Sequence, residues 1–318
     1  MKLLLSLFSI SICFSAFSQK IGKLSGLQEE VEIMIDPFGV PHIYAKNEND
    51  MFFAQGFQAA SDRLFQFEIW RRQATGTTAE ILGAREIKRD IGTRLFQYRG
   101  SIEKDLAKYH PRGVAIINAY VQGVNAYIKE ANQHPATLPI EFKLLHIQPK
   151  EWTAAVVISR HQGLLGNITQ ELNIARAVGK IGEDKVKDIV WFHPKQPNLK
   201  MDSSIQPAFL EKDILGLYNA YRNELVFQKS DFGEKDEDAV MNTNNKPEKD
   251  LFLQSQEMEG SNNWIVAGSK SASGYPLLAN DPHRKIAVPS LRYIVHLVAP
   301  GWNVIGGGEP EIPGVSIG

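Results

Sequence analysis

Cysteine is almost absent from this chain of 318 residues, in which Cys13 is the only one. Cys13 lies in an N-terminal apolar segment that we expect to be removed, so the mature protein would contain no cysteine. This excludes disulfide bonds, thiolate metal sites and a cysteine nucleophile. Stability must then come from a hydrophobic core, for which 43% hydrophobic residues are sufficient.

An excess of either charge is also missing, because 35 Lys and Arg stand against 36 Asp and Glu. Proteins that bind nucleic acid or acidic membranes usually carry a basic surface. We therefore expect neither a nucleic acid nor a membrane as a partner. No internal repeat is visible, and the length allows one large domain or two ordinary ones.

The longest apolar run stands at the N-terminus and has the features of a secretory signal. Lys2 supplies the positive charge, Leu3–Phe17 is apolar, and Ala16 and Ser18 are small residues at the positions that a signal peptidase reads. The alternative is an uncleaved anchor, but the run is short for a span of about 20 residues and serines interrupt it. We predict that residues 1–18 are a signal peptide and that the protein is periplasmic or secreted.

Hydrophobic periodicity predicts a hairpin followed by a mainly helical region. Val31, Ile33 and Ile35 alternate with polar residues before a turn at 36–39, as in a β-hairpin. Helical spacing then predicts a helix that starts near Asn49 or Asp50 as its cap and ends around Gly76. Its expected core-facing residues are Phe53, Phe57, Ala60, Leu64 and Phe67. Similar patterns continue to about residue 226.

Residues 227–260 are charged and rich in asparagine, so they read as a solvated linker with little to bury. Beyond it, short apolar runs separated by turns predict four strands in one mainly antiparallel sheet. These runs are Trp264–Ala267, Leu277–Ala279, Tyr293–Ala299 and Asn303–Ile305.

The bond between Gly260 and Ser261 lies where the linker meets the first predicted strand. If it is cut, Ser261 becomes an N-terminal residue whose α-amino group, with a reference pKa of about 7.7–8.0, can act as the base for its own hydroxyl. Taken alone, a Gly-Ser step after a polar linker is also an ordinary start of a strand.

Short motifs on both sides of this bond extend over almost the whole mature chain. They include Ala54-Gln55-Gly56-Phe57, Asp62-Arg63-Leu64-Phe65-Gln66, Tyr120-Val121-Gln122-Gly123-Val124-Asn125, Gly260-Ser261-Asn262-Asn263-Trp264, Leu278-Ala279-Asn280-Asp281-Pro282-His283 and Pro313-Gly314-Val315. In this order and spacing they resemble the penicillin acylase family of N-terminal nucleophile hydrolases.

This resemblance implies an α+β protein with the four-layer αββα fold. Residues 19–226 would form a mainly helical α-subunit region, 227–260 a linker or spacer peptide, and 261–318 the first strands of the β-subunit. Since the family's β-subunit is several times longer, we expect the chain to be C-terminally truncated. Alone, it should be inactive and poorly soluble, because the usual asparagine oxyanion donor and most of the sheet would be absent.

The resemblance also implies the chemistry. The precursor would cleave itself at Gly260-Ser261 into an α/β heterodimer, and Ser261 would then hydrolyse the amide of N-acyl substrates such as β-lactam side chains or acyl-homoserine lactones. Glycine at 260 suits a strained scissile bond because it has no Cβ. No organic cofactor is implied. The alternative is a non-catalytic periplasmic domain or degenerate paralogue that keeps the fold.

His283 stands where the family has glutamine or histidine, and the resemblance gives it the role of holding the nucleophile and its amine. It could instead be a turn histidine, or a member of a triad with Ser261 and Asp281. The triad is disfavoured because Asp281 and His283 are too close along a turn that contains proline.

The remaining site residues come from the α-subunit region. Glu171 resembles a family carboxylate that binds structural Ca²⁺, although a single carboxylate on a helix surface is the plain alternative, since Ca²⁺ takes six to eight oxygens. His161, Leu164 and Leu165 stand where the family's α-subunit contributes to the acyl pocket. They fit the core of a helix equally well.

Overall fold

A computed structural model describes residues 25–160, 167–232, 261–281 and 287–318, and the backbone of a strand at 17–21. Over these residues the chain mixes helices and strands, which confirms the α+β class; the four-layer arrangement stays a prediction. The chain divides into two compact units. The first comprises the described parts of Met1–Asp62, Ala115–Tyr127 and Asn245–Gly318, and the second those of Arg63–Val114 and Ile128–Asn244.

The first unit contains a five-stranded sheet in the order β1-β2-β3-β6-β7. Its strands are β1 (Phe17–Ile21), β2 (Val31–Ile35), β3 (Pro41–Tyr44), β6 (Tyr293–Ala299) and β7 (Trp302–Gly308). All neighbours are antiparallel except β3 and β6, which pair in parallel with His42 opposite His296. Signal cleavage after Ser18 would leave only the last three residues of β1.

The predicted hairpin of β2 and β3 is confirmed, and its turn is held by a side chain. The Asp36 carboxylate accepts hydrogen bonds from the backbone N–H groups of Phe38 and Val40, both at 2.9 Å. Gly39 has φ +81°, a left-handed conformation that glycine adopts without strain. On the sheet, Val31, Ile33 and Ile43 are fully buried, whereas Ile35 is partly exposed.

The prediction of one antiparallel sheet after residue 261 was wrong. Strands β4 (Asn262–Val266) and β5 (Leu277–Asp281) form a separate two-stranded hairpin, whereas β6 and β7 join the sheet of the N-terminal hairpin. Alternation identifies the buried face of a strand, and every second residue of β6 from Tyr293 to Ala299 is indeed buried. Alternation does not identify the neighbouring strand, which for β6 is β3 rather than β5.

Helix α1 (Glu48–Thr75) fulfils the periodicity prediction, and all five expected core residues are buried. It begins slightly earlier than expected because Asn47 caps it, accepting a hydrogen bond from the backbone N–H of Asp50 at 2.8 Å. The helix is kinked at Arg63, whose φ and ψ are −135° and 27°. The division between the two units falls at this residue.

In the first unit α1 lies directly against α5 (Gly113–Gln133) through a reciprocal pair of glycines. A Cβ on Gly56 would lie 2.1 Å from the carbonyl oxygen of Tyr120, and one on Gly123 would lie 1.8 Å from that of Phe53. The two backbones therefore touch, and only glycine fits at either position. Both residues belong to motifs noted in the sequence.

Hydrogen bonds connect the C-terminal residues to α1 and α5. The Gln55 side chain accepts a hydrogen bond from the N–H of Gly314 at 2.9 Å and donates one to its carbonyl at 3.0 Å, as a paired strand would. The hydroxyl of Tyr120 donates to the carbonyl of Pro310. Burial raises the pKa of Tyr120 well above its usual value, so this hydroxyl stays a donor.

The second unit is helical in its described residues. Besides the ends of α1 and α5, it contains α2 (Ala79–Leu82), α3 (Ile87–Phe96), α4 (Ile102–Tyr109), α6 (Ile140–Leu144), α7 (Ala154–Arg160), α8 (Ile168–Ile181), α9 (Glu183–Ile189), α10 (Pro207–Leu210) and α11 (Gly216–Arg222).

Buried carboxylates organise this unit. Glu68 is 1% exposed and accepts hydrogen bonds from Arg71, Arg72 and the backbone N–H of Lys150. Asp90 accepts from the backbone and hydroxyl of Thr78 and from the next backbone N–H, satisfying donors at the start of α2. Each buried charge therefore has partners that compensate its loss of water.

The first residues of the predicted linker are attached to the helical unit. Lys229–Phe232 form a 3₁₀ turn, and Asp231 accepts two hydrogen bonds from Arg85. The rings of Phe227 and Phe232 stack on each other. Residues 233–260 lie outside the described residues, so the linker prediction is not tested there.

Candidate active site

Ser261 is exposed and directly precedes β4, as the sequence predicts for a residue at a strand entry. In the hairpin register Asn262 lies opposite Asp281, and Val266 lies opposite Leu277. The end of β5 therefore lies across from the start of β4, next to Ser261. Gly260 lies outside the described residues, so the geometry of the expected scissile bond is not given.

His283 belongs to residues 282–286, which are also outside the described part of the chain. The structure thus brings Ser261 close to Asp281, two residues before the histidine, and does not place the histidine itself. The roles considered for His283 all remain predictions.

The turn that joins β4 and β5 is closed by short-range hydrogen bonds. The hydroxyl of Ser271 donates to the carbonyl of Tyr275 at 2.6 Å, and the carbonyl of Gly268 lies 3.2 Å from the same hydroxyl oxygen. Gly274, at φ +76°, provides the left-handed residue of the turn. The hairpin is thus locally fixed although its apolar residues are exposed, with Trp264 at 58% and Ile265 at 73%.

Glu171 lies on α8 and is exposed, and its carboxylate accepts a hydrogen bond from Asn167 one turn earlier. It lines a groove of about 620 Å³ whose apolar wall includes Ile174, Val178 and Leu199. Asp202 also lines this groove, and hydrogen bonds from the side chain and backbone of Ser204 hold the pKa of Asp202 below its usual value.

The described residues do not complete a calcium site around Glu171. In this part of the chain no three His, Cys, Asp or Glu side chains lie close enough together to hold a metal ion, whereas Ca²⁺ needs six to eight oxygens. Ca²⁺ binding therefore stays a prediction.

The expected acyl-pocket residues His161, Leu164 and Leu165 fall between α7 and α8, within residues 161–166 that the structure does not describe. Just before them, Val156 and Val157 are buried as the helical pattern predicted. Whether the three residues line a pocket or a helix core is not tested.

One contact of the motif residue Asp62 could not be found from the sequence. Asp62 accepts a hydrogen bond from the hydroxyl of Tyr293 at 2.6 Å and another from Gln58 at 2.9 Å. Tyr293 is 231 residues away along the chain, and no local pattern indicates such a pairing. The contact ties the segment after Ser261 to the helix before it.

Among the described helices, none has the length and apolar composition required to cross a bilayer.

Several known proteins are similar to the chain over most of its length. Penicillin acylase 2 proenzyme of Pseudomonas sp. (strain SE83) is 32% identical over 298 residues, covering 92% of this chain and 35% of that protein. Penicillin G acylase of Escherichia coli is 26% identical (91% and 37%), and acyl-homoserine lactone acylase QuiP of Pseudomonas aeruginosa is 27% identical (93% and 32%). The chain thus spans about a third of the length of these relatives.

A solved structure of thermostable penicillin G acylase from Alcaligenes faecalis, in tetragonal form, is 27% identical with a TM-score of 0.45, covering 54% of this chain and 97% of the other. The family model for penicillin amidase matches residues 30–318. The family-model match takes in nearly all of the described residues, and the motif order and the position of Ser261 at a strand entry agree with it. The chain therefore belongs to the penicillin amidase family.

Proposed function

We propose that the protein is an exported amidohydrolase that cleaves N-acyl amides with Ser261 as an N-terminal nucleophile. The observation that carries the proposal is the position of Ser261, exposed at the first residue before β4 and beside the end of β5. Family membership supports the reaction class. The names of the relatives point to penicillins or acyl-homoserine lactones as substrates.

The nucleophile would be released by self-cleavage. The Ser261 hydroxyl oxygen attacks the carbonyl carbon of Gly260, the peptide C–N bond breaks, and the nitrogen leaves as the α-amino group of Ser261. Water then hydrolyses the resulting ester, restoring the hydroxyl and freeing the carboxylate of Gly260. The products are an α-chain that ends at or before Gly260 and a β-chain that begins with Ser261.

In the mature enzyme the α-amino group of Ser261 takes the hydroxyl proton while the oxygen attacks the substrate carbonyl. With a reference pKa of about 7.7–8.0, an α-amino group is partly neutral near pH 7 and can act as this base. The proton passes to the leaving amine, an acyl-enzyme forms, and water hydrolyses it to the acid. His283 would hold the nucleophile and its amine in place.

The test is mass spectrometry of the full-length protein and of its Ser261→Ala variant. We expect two chains from the wild type, one beginning Ser-Asn-Asn-Trp, and a single intact chain from the variant. Ser273→Ala, in the turn of the same hairpin, is the matched control and should be processed normally.

An intact wild-type chain in a folded protein would contradict the proposal and favour the non-catalytic alternative. The triad alternative predicts a different pattern, in which Asp281→Asn is processed normally but no longer hydrolyses N-acyl substrates.

A further inference from the structure

The segment that follows α11 is held against α3 by an arginine. Arg89, which is 5% exposed, donates to the carbonyl of Asn223 at 2.6 Å and to that of Glu224 at 2.9 Å. The same guanidinium donates to the carbonyl of Tyr221 at 3.3 Å. Carbonyls at the end of a helix have no partner within the helix. Arg89 therefore supplies partners for the end of α11 and fixes the direction in which the chain leaves it.

Farther along the chain, Arg85 makes a second attachment. It lies in the 3₁₀ turn Ala84–Glu86 before α3 and donates to both carboxylate oxygens of Asp231, at 2.8 and 2.5 Å. The Asp231 side chain is 5% exposed and that of Arg85 is 31% exposed. Ion pairs with two parallel hydrogen bonds are among the strong polar contacts of proteins.

The Asp231 carboxylate also closes the turn in which it lies. It accepts a hydrogen bond from the N–H of Gln228 at 2.7 Å, and the N–H of Asp231 donates to the carbonyl of Gln228 at 2.9 Å. On the apolar side, the Phe227 ring lies 5.9 Å from that of Phe65 and stacks on Phe232, with centroids 6.2 Å apart. We call Arg85, Asp231, Phe227 and Phe232 the clamp.

The clamp lies directly before the part of the linker with the most polar composition. Residues 233–260 are charged and rich in asparagine, so they have little to bury. Proteases cut where little structure has to open for the chain to become accessible. Residues 227–232 become accessible only when the ion pair and the stacked rings separate, so we expect cleavage to be favoured after the clamp and disfavoured within it.

We propose that the clamp defines the C-terminal end of the α-chain. Proteases that remove the linker stop at the clamp, and the trimmed α-chain retains Phe232 and ends shortly after it. Each cut adds one water molecule across a peptide bond of the linker. The trimming rests on the proposed function, because self-cleavage frees the other end of the linker at Gly260, whereas the clamp is present in an uncut chain as well.

The test is limited digestion of the full-length protein with proteinase K, a protease of broad specificity, followed by mass spectrometry of the fragments. We expect the first N-terminal fragment of the wild type to retain Phe232 and to lose most of residues 233–260.

In Asp231→Asn and in Arg85→Gln the ion pair is lost, and the same fragment should end before Gln228. Cleavage within residues 227–232 should be about 10- to 100-fold faster than in the wild type, because it follows the population of the opened clamp. Circular dichroism should be unchanged, since Arg89 still holds the end of α11. Asp188→Asn, an exposed aspartate of α9 in the same unit, is the matched control and should be digested as the wild type is.

A wild-type fragment that ends before Phe227 would overturn the proposal, and so would equal cleavage within residues 227–232 in the wild type and both variants. Ser261→Ala separates this result from the proposed function. It cannot cleave itself but keeps the clamp, so its N-terminal fragment should end at the same residue. If the wild type fails to cleave itself, the proposed function is wrong, and the digestion still decides whether the clamp stops a protease.

Discussion

Replacing Gly123 with alanine should destabilise the protein although alanine is the better helix former. The new Cβ would lie 1.8 Å from the carbonyl oxygen of Phe53 and 2.9 Å from the nitrogen of Phe57. Both are backbone atoms of α1, so no side chain can turn away to make room. The contact must open to at least 3.0 Å, which moves α5 from α1 by about 1.2 Å.

The size of the effect follows from two opposing contributions. A radial gap of about 0.5–1 Å already forfeits a quarter to a half of the dispersion energy of the atoms involved, and overpacking costs about 1–3 kcal/mol. A backbone clash of this depth belongs at the upper end, about 3 kcal/mol. Better helix propensity returns about 1 kcal/mol, so the free energy of unfolding should fall by about 2 kcal/mol.

Urea unfolding followed by far-ultraviolet circular dichroism measures this change. With an m value of about 2–3 kcal/mol/M, the midpoint should fall by about 0.7–1 M. Gly179→Ala in α8 is the matched control, because its Cβ would come no closer than 3.5 Å to another residue. That variant should gain about 0.5–1 kcal/mol. A stabilised Gly123→Ala, or equal losses in both variants, would refute the argument from close helix contact.

Two further predictions concern charged and ionisable groups. Glu68→Gln should lower the free energy of unfolding by about 3–5 kcal/mol, because the buried Arg71 loses its carboxylate partner and the buried Arg72 keeps only the half-exposed Glu80. In the same urea assay Glu80→Gln, whose side chain is 53% exposed, should change it by less than about 1 kcal/mol, because Arg72 keeps Glu68. The hydrogen bond to Asp105 raises the pKa of Tyr98 to about 12. The contribution of this hydrogen bond to stability is therefore complete below the pKa of about 10 that tyrosine has in the unfolded chain, and it is lost as the pH rises toward 12. Ultraviolet titration should show one more tyrosine ionising near pH 10 in Asp105→Asn, and an unchanged titration curve would contradict the assignment.

Local elements of the fold could be predicted because their signals are local. The alternation from Val31 to Ile35 and the helical stripe from Phe53 to Phe67 specify which side of an element is buried. The start of α1 was displaced by two or three residues because Asn47, rather than Asn49 or Asp50, supplies the cap.

The pairing of strands could not be predicted in the same way. The contact of β3 with β6 joins residues 254 apart, and a strand's hydrophobic pattern is the same whichever neighbour it has. The candidate site shows the same division. The entry of Ser261 into a strand is visible as a change of composition, whereas the nearness of Asp281 depends on the hairpin register.

The parallel ladder between β3 and β6 has a consequence for a cleaved chain. If the Gly260–Ser261 bond is cut, β3 belongs to one polypeptide and β6 to the other, so the middle of the five-stranded sheet becomes the interface of the heterodimer. The bonds of Gln55 with Gly314, and of Glu48 with the Trp302 indole, become intermolecular as well. The two polypeptides would then share the hydrophobic core of the first unit, and neither would contain the complete sheet.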